Sequence, residues 1–316
     1  MANIIVAIVC VLLAIVFVLA VFNALTAAKI EKGFVPPGAF VDVDGTRIHY
    51  LDRGTGPTIV IVHGLNGQLR HFTHSLLAQL TDEFRIILLD RPGSGNSARL
   101  ASGTAGVREQ GDLVAGFIAK LGLARPLLVG HSLGGAVALA VALDHPECIR
   151  GLALIAPLTQ VQTRVPPAFA ALAIPSAAVR WIFSRTLLVP LSIAASKRTL
   201  ETVFGPDPVP ADFGTAGGGL LSLRPDTFLA ACDDLIGVRD DLAGMVARYP
   251  SLTMHVAILY GRGDRILDWK IHGESMLEQV EGVRLEVIDG GHMLPLTHAV
   301  ATAGFIRSVA AAVESS

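Results

Sequence analysis

The chain has 316 residues, of which 52% are hydrophobic and 16% are charged, and its formal net charge is −2. This composition excludes a disordered chain, and the lack of a basic surplus argues against a nucleic-acid partner. The length is sufficient for one large α/β domain with an insertion, or for two small domains.

The chain begins with an apolar segment long enough to cross a membrane. Residues 4–22 are nineteen consecutive uncharged residues drawn from Ile, Val, Ala, Leu, Phe and Cys. At about 1.5 Å per residue, this run spans a hydrocarbon core of about 30 Å. A cleaved signal peptide, which is the alternative, has a basic residue before a shorter apolar run and a clear cleavage site after it. We therefore predict a retained single-pass transmembrane anchor over residues 1–28.

The charges beside this segment bear on its orientation. Lys29 and Lys32 follow the apolar run, and only the α-amino group precedes it. The positive-inside rule therefore favours the cytoplasmic side for the domain that follows. Three cysteines without framework spacing agree with a reducing compartment. A periplasmic or extracellular domain is the alternative.

Residues 29–40 are predicted to be a linker, because two consecutive prolines at its centre bar a helix. After the linker, apolar runs typical of buried strands alternate with helical patterns. This alternation predicts an α/β fold with a doubly wound, mostly parallel sheet and an antiparallel first hairpin. The predicted strands are 41–43, 47–53, 58–62, 84–89, 127–129, 151–155, 256–260 and 284–288, and the predicted helices are 71–81, 107–121, 133–144, 272–280 and 299–313.

The alternation stops between residues 158 and 249. No strand-like run occurs there, and prolines and glycines interrupt the helical patterns. A helical insertion between two strands of such a sheet is typical of a cap over the site. Apolar side chains such as Phe169 and Trp181 dominate it, which predicts an apolar roof and an apolar substrate pocket. The core is therefore predicted at 41–157 and 250–316, with the cap at 158–249.

A serine lies between two glycines where a predicted strand is followed by a helix. Residues 130–134 read Gly-His-Ser-Leu-Gly. A tight strand-to-helix turn exposes the serine hydroxyl, and it needs small neighbours because its backbone is strained. The helix that follows directs N–H groups toward a developing oxyanion. This pattern predicts Ser132 as a nucleophile.

A serine nucleophile needs a base and a third group that orients the base. His292 follows the last predicted strand on a glycine-rich loop, and Asp264 follows the strand before it. Open α/β sheets build their sites at this edge, so we predict His292 as the base and Asp264 as the acid. Asp268 is the alternative acid.

Two backbone N–H groups aimed at one point form an oxyanion hole. Leu133, directly after the serine, is predicted to supply one of them. Leu65, on the loop after strand 58–62, is predicted to supply the other, with Gly64 and Asn66 as alternatives. The side chain of His63 is predicted to hold this loop together.

Together, these residues resemble the cap-bearing branch of the α/β-hydrolase superfamily over about residues 41–314. The matching motifs, in the order and spacing of that family, are His63-Gly64, the loop 90–97, Gly130–Gly134, Gly261–Asp264 and Gly291-His292. The resemblance implies the fold more specifically than the reaction, because the branch includes esterases, lipases, C–C bond hydrolases and cofactor-free haloperoxidases. Dehalogenases and epoxide hydrolases carry Asp where Ser132 stands, and we set them aside.

We expect a membrane-tethered serine hydrolase of esterase or lipase type that cleaves apolar carboxylic esters through an acyl-enzyme on Ser132. Its expected partners are a small apolar ester or lipid-like substrate and the membrane. We expect no cofactor and no metal, because the histidines and cysteines lack ligand spacing. No oligomeric state follows from the sequence. The alternatives are a C–C bond hydrolase of the same fold, in which Arg180 or Arg185 of the cap binds a substrate carboxylate, and a non-catalytic membrane-associated binding module.

Overall fold

A computed structural model describes residues 1–100 and 106–315 of the chain. Residues 101–105 and Ser316, which the predicted core ranges include, lie outside the described residues. The strands are β1 (Ala39–Val43), β2 (Thr46–Arg53), β3 (Thr58–Val62), β4 (Arg85–Leu89), β5 (Leu127–His131), β6 (Gly151–Ile155), β7 (His255–Gly261) and β8 (Arg284–Ile288).

These strands form one eight-stranded sheet in the order β1-β2-β4-β3-β5-β6-β7-β8. β2 pairs antiparallel with β1 and β4, and all the other described pairs are parallel. The sheet confirms the predicted α/β fold class, doubly wound and mostly parallel with an antiparallel start.

Helices cover both faces of the sheet and also fill the chain between β6 and β7. Within the described part of the chain, the α-helices are α1 (Ala2–Gly33), α2 (Arg70–Thr73), α3 (Val107–Lys120), α4 (Leu133–Asp144), α5 (Ala177–Thr186), α6 (Leu188–Phe204), α7 (Pro225–Val246), α8 (Ser275–Gln279), α9 (Leu294–Thr297) and α10 (Ala299–Glu314). Short 3₁₀ segments occupy Leu77–Gln79, Pro146–Cys148, Pro167–Ala173, Gly219–Leu223 and Tyr249–Ser251, and a π-helical turn occupies Lys270–Glu274.

The central strands are buried on both faces, as the continuous apolar runs predict. On β3, Val60 and Val62 pack in the cluster that contains the buried side chains of α3 and α4. Ile59 and Ile61 point to the other face and pack in the cluster that contains those of α10. Successive side chains of β3 thus pack alternately in the hydrophobic cores on the two faces of the sheet. The site lies outside these cores, at the edge formed by the carboxyl ends of the strands.

The prediction of one continuous helix over residues 71–81 is wrong. The chain there forms the single turn α2 and then a 3₁₀ segment. Leu69, Phe72, Leu76 and Leu80 of this stretch are all buried against the sheet. Packing of these four side chains overrides helical propensity, which is a weak determinant in short segments.

Residues 158–249, all of them described, contain α5, α6, α7 and two 3₁₀ segments and no strand. Leu172, Leu188 and Phe228 belong to a small core of this region. Trp181, which is expected among the roof residues, is instead 54% exposed, and its neighbour Ile182 is 55% exposed.

The N-terminal helix α1 is long and apolar enough to cross a membrane. It extends beyond the predicted anchor 1–28 to Gly33, so that residues 34–38 alone separate it from β1. The last third of α1 packs against α5 and α6. Asn23, Ala27 and Ile30, all in this part of α1, are buried.

Candidate active site

Ser132 lies in a strained turn between β5 and α4. Its φ and ψ are 56° and −121°, outside the regions that non-glycine residues normally occupy. A Cβ on Gly130 would lie 2.4 Å from the Gly134 carbonyl oxygen, and one on Gly134 would lie 2.3 Å from the Val62 carbonyl oxygen. The two glycines are therefore required for the turn to close and to expose the serine.

The structure brings the three predicted side chains into one hydrogen-bonded row. His292 Nε2 is 2.9 Å from Ser132 Oγ, and His292 Nδ1 is 2.7 Å from Asp264 Oδ2. The other oxygen of Asp264 accepts the N–H groups of Ile266 at 2.8 Å and Leu267 at 3.0 Å, which fixes the carboxylate. A serine, an imidazole and a carboxylate in this arrangement can activate the hydroxyl as a nucleophile.

Asp268, the alternative acid, lies outside this row. Its carboxylate accepts the N–H of Lys270 at 2.9 Å, at the start of the π-helical turn. The geometry therefore selects Asp264 of the two candidates.

The loop after β3 passes directly over the serine. A Cβ on Gly64 would lie 2.8 Å from the Cβ of Ser132, so only glycine permits this approach. Leu65, which follows it, and Leu133 line the same pocket as Ser132. Leu133 is the first residue of α4, and its N–H therefore has no partner within the helix. The two residues predicted to supply the oxyanion donors thus line the same pocket as the nucleophile.

A buried arginine that the sequence analysis did not single out holds this loop. Arg91, fully buried after β4, donates from Nε to the His63 carbonyl and from Nη2 to the Gly64 carbonyl, both at 2.9 Å. Its Nη1 donates to Gln110 at 2.6 Å and pairs with Asp234 of α7 at 2.9 Å. Arg91 therefore connects the loop over the serine to the cap. In the sequence, Arg91 is marked only by its position after a buried strand, at the sheet edge where the site lies.

Two buried histidines near the site are held neutral. Burial lowers the pKa of His63 well below its usual value, and the nearby Arg91 lowers it further. His63 donates from Nδ1 to the Gly64 carbonyl at 2.9 Å and accepts the Arg91 N–H at 2.9 Å, so it holds the loop as predicted. Burial also lowers the pKa of His131, which donates from Nε2 to the His292 carbonyl at 3.0 Å.

A mostly apolar pocket opens above Ser132 and has about 660 Å³ of empty space, part of it open to solvent. Gln162, Arg164 and Arg239 add polar groups to its wall. The apolar lining comes from the loop after β3, the start of α4, the cap and the loop after β7, and includes Leu65, Leu133, Leu158, Phe169, Leu242 and Ile266.

The two arginines that the sequence analysis offered for a substrate carboxylate do not line this pocket. Arg180 pairs with Asp233 at 3.2 Å. Arg185 lies over the ring of Trp181 at 4.4 Å and faces Asp226 at 3.7 Å. The structure thus places neither arginine at this pocket, because both side chains are held by neighbours on the cap itself.

Among residues 1–100 and 106–315, no group of three or more His, Cys, Asp or Glu side chains could hold a metal ion. The site as described consists of protein side chains and backbone groups alone. The absence of a cofactor stays a prediction.

The sequence profile of the Alpha/beta hydrolase family matches residues 59–305, well over half of the chain. The chain belongs to the alpha/beta hydrolase family. The match extends from β3 to α10 and therefore includes the turn at Ser132, the cap and the loops that carry Asp264 and His292.

Curated relatives of this alpha/beta hydrolase match over parts of their length. It is 36% identical over 120 residues to the dihydrolipoyllysine-residue acetyltransferase component of the acetoin cleaving system of Cupriavidus necator, over 38% of this chain and 32% of that protein. It is 36% identical over 118 residues to the 2-hydroxy-6-oxononadienedioate/2-hydroxy-6-oxononatrienedioate hydrolase of Burkholderia vietnamiensis, over 35% of this chain and 41% of that protein. The chain thus spans well under half the length of these relatives.

Among solved structures, the chain is similar to the crystal structure of a membrane phospholipase A described as a novel bacterial virulence factor. The TM-score is 0.66 and the identity is 23%, over 100% of both chains. At this identity the likeness shows the fold alone.

Proposed function

We propose that this alpha/beta hydrolase is a membrane-tethered serine hydrolase that cleaves apolar carboxylic esters through an acyl-enzyme on Ser132. The observation that carries the proposal is the hydrogen-bonded row of Ser132, His292 and Asp264 beneath an apolar pocket. An apolar acyl chain fits the leucine-rich wall, and the ester carbonyl then lies beside the serine hydroxyl.

In the proposed cycle, Ser132 Oγ attacks the ester carbonyl carbon while His292 Nε2 takes its proton. The Asp264 carboxylate stabilises the imidazolium, and the N–H groups of Leu65 and Leu133 stabilise the oxyanion. The intermediate expels the alcohol, which receives the proton from His292. Water, deprotonated by His292, then attacks the acyl carbonyl carbon. The second tetrahedral intermediate expels Ser132 Oγ, which takes the proton back from His292, and the carboxylic acid is released.

Labelling by a fluorophosphonate probe tests the nucleophile. The full chain is expected to form a covalent adduct, and Ser132→Ala is expected to form none. Ser94→Ala removes the hydroxyl of another buried serine and serves as the matched control, which should label like the parent. Circular dichroism checks that both variants are folded. Equal labelling of Ser132→Ala and the parent would rule out this nucleophile. A series of p-nitrophenyl esters of increasing chain length then defines the acyl preference.

The membrane tether is supported by α1, which has the length and composition of a membrane span. A triple variant with Val9→Arg, Leu13→Arg and Phe17→Arg places three charges in the apolar run, at a cost of about 2.5–3.5 kcal/mol each on insertion, which together exceeds what the apolar side chains of the run contribute. The variant is expected to leave the membrane fraction, from which alkaline carbonate does not extract the parent. Recovery of both proteins in the membrane fraction would contradict anchoring by α1.

Lys29 and Lys32 support a cytoplasmic hydrolase domain. The partly exposed Cys148 provides a test, because a membrane-impermeant maleimide reaches it in whole cells only if the domain faces outward. We expect labelling in lysed cells and none in intact cells. Labelling of Cys148 in intact cells would place the domain outside.

A C–C bond hydrolase is the second candidate, and the pocket arginines favour it. Within the described residues, neither Arg164 nor Arg239 is paired with a carboxylate, and both line the pocket. They offer a place for a substrate carboxylate beside an apolar chain. Two results together would favour C–C cleavage. The protein would turn over a vinylogous diketone acid in preference to p-nitrophenyl esters, and the double variant Arg164→Gln with Arg239→Gln would lose this preference. A non-catalytic binding module predicts no probe labelling at all.

A further inference from the structure

The cap carries a surface on which large apolar side chains stay exposed in the described residues. We name this surface the cap ridge. Its side chains lie on α5, on α6 and at their junction, and all are between 40% and 58% exposed. They are Val179, Trp181, Ile182, Leu187, Leu191 and Ile193. Six large apolar side chains this exposed within residues 179–193 exceed the singly scattered ones that are normal on a soluble surface, and such a density is typical of an interaction surface.

The cap ridge lies beside the end of the apolar run of α1. Asn23 directly follows that run and is 1% exposed. Its Oδ1 accepts the Val189 N–H at 3.1 Å, and its Nδ2 donates to the Ser184 carbonyl at 3.5 Å. Trp181 and Leu191 are three and two residues from these partners, which is about 5 Å or less along a helix axis. The ridge therefore begins at the level where α1 would leave a bilayer.

The composition of the ridge matches that level. Trp181 carries Arg185 over its ring at 4.4 Å, and tryptophan and arginine are enriched where a membrane meets water. The 3₁₀ segment Pro167–Ala173 and α5 together have the apolar composition of a membrane segment, but they meet at 116° and so cannot cross as one rod. Such a segment suits a position along the interface.

We propose that the cap ridge is immersed in the lipid interface and forms a second membrane contact of this protein. The inference rests on the proposed anchoring by α1, and its occupant is the lipid bilayer. Phe169, on the 3₁₀ segment that leads into α5, lines the pocket above Ser132. A lipid-borne ester can therefore pass from the interface into the pocket along apolar surface. A second copy of the chain on the ridge is the competing occupant.

Tryptophan fluorescence tests the contact, because the chain contains two tryptophans. Trp269→Phe leaves Trp181 as the reporter, and Trp181→Phe leaves the half-buried Trp269 as the matched control. The full chain is placed in phosphatidylcholine vesicles whose acyl chains are brominated either near the headgroup or near the methyl end. We expect strong quenching of Trp181, greater with bromine near the headgroup, and little quenching of Trp269. Equal, weak quenching of both tryptophans would overturn the proposal, as would a Trp181 emission that depends on protein density instead of bromine.

A kinetic experiment separates this inference from the proposed reaction. Trp181→Ser with Ile193→Ser removes two ridge side chains, and Ile271→Ser with Val300→Ser removes two exposed apolar side chains from the hydrolase core. The ridge variant is expected to hydrolyse a vesicle-borne ester about tenfold more slowly than the parent, with its activity on a water-soluble ester unchanged. Equal rates of both variants on vesicles would refute the ridge contact. Absence of any esterase activity in a chain whose Trp181 is quenched would refute the reaction and leave the contact standing.

Discussion

Replacing Asp234 by Asn tests whether the cap controls the loop over the serine. Arg91 is fully buried, and its ion pair with Asp234 is 2.9 Å long. Removing one partner of a buried ion pair costs about 3–5 kcal/mol, because it leaves the other charge uncompensated. That loss is a large part of a total stability of about 5–15 kcal/mol.

The same change is expected to lower kcat. The Arg91 guanidinium fixes the His63 and Gly64 carbonyls, and the Leu65 N–H directly follows them. Losing one oxyanion donor lowers kcat by about 10²–10³-fold. Because the oxyanion exists only in the transition state, we expect the loss in kcat with little change in KM.

A double variant separates this positioning role from simple stability. Arg91→Met with Asp234→Leu replaces the ion pair by apolar side chains, which is often close to neutral. Gln110→Leu is added to both variants that are compared, because the Gln110 amide bonds Arg91 at 2.6 Å and Asp234 at 3.0 Å and would otherwise lose these two partners in the double variant. The Gly64 carbonyl keeps its bonds from His63 and from the N–H of Gly67, so the His63 carbonyl is then the group that loses its Arg91 donor. An unsatisfied carbonyl costs about 1–3 kcal/mol, and the double variant should therefore be more stable than Asp234→Asn.

Urea unfolding in detergent and p-nitrophenyl ester kinetics together decide the matter. We expect a low kcat in both variants, with stability partly recovered in the double variant. A double variant that regains parental kcat together with its stability would refute the positioning role, since the network would then merely hold the fold.

Three further predictions concern the site and its surroundings. Burial lowers the pKa of His272 to about 4, so the unfolded chain binds the extra proton between pH 6.5 and 4. The unfolding free energy should therefore decrease as the pH is lowered through that window. The variant His272→Asn keeps an amide oxygen that can accept the neighbouring N–H groups but has no group that titrates there. In urea titrations at several pH values, it should therefore remove up to about 1.4 kcal/mol per pH unit of this dependence. Gly64→Ala should displace Ser132, because the new methyl group would lie 2.8 Å from the Ser132 Cβ. We expect probe labelling to be about 10²-fold slower, with the fold intact by circular dichroism. Labelling at the parental rate would show that the loop moves to accommodate the methyl group. Asp264→Asn keeps an oxygen that accepts the N–H groups of Ile266 and Leu267 but turns an amide N–H₂ toward His292. We expect kcat to fall about 10⁴-fold, because the imidazole is then held in the wrong tautomer. A loss of less than about tenfold would rule out the orienting role of Asp264.

The sheet and the row of three side chains depend on signals that a sequence carries locally. Strands β3, β6 and β8 have the predicted bounds. For β3 and β6, the reason is that a continuous apolar run ends at polar or turn residues, whereas in β8 polar and apolar residues alternate up to the turn at Asp289-Gly290. The carboxyl ends of parallel strands share one edge of the sheet. Ser132, Asp264 and His292 each follow such an end, and the structure accordingly brings them together.

Contacts between distant segments carry no such signal. Arg91 and Asp234 are 143 residues apart, and neither lies in a periodic pattern that marks it as buried. In the same way, the sequence shows that the cap has arginines but not which of them face the pocket. Arg180 forms an ion pair with Asp233, whereas Arg164 lines the pocket. Such choices depend on which carboxylates the fold places nearby.

Asn23 illustrates how one polar side chain changes the relation between two units. The sequence predicts an anchor and a domain joined by a linker from residue 29, an arrangement in which the domain would be free to turn. In the structure, α1 continues to Gly33, and the Asn23 amide is buried between the ends of α5 and α6. A buried amide that satisfies backbone groups of two helices fixes their position, because leaving those groups without partners is costly. If α1 spans the membrane as proposed, its tilt therefore sets the tilt of the cap, and access of a lipid substrate to the pocket depends on the same helix that holds the protein in place.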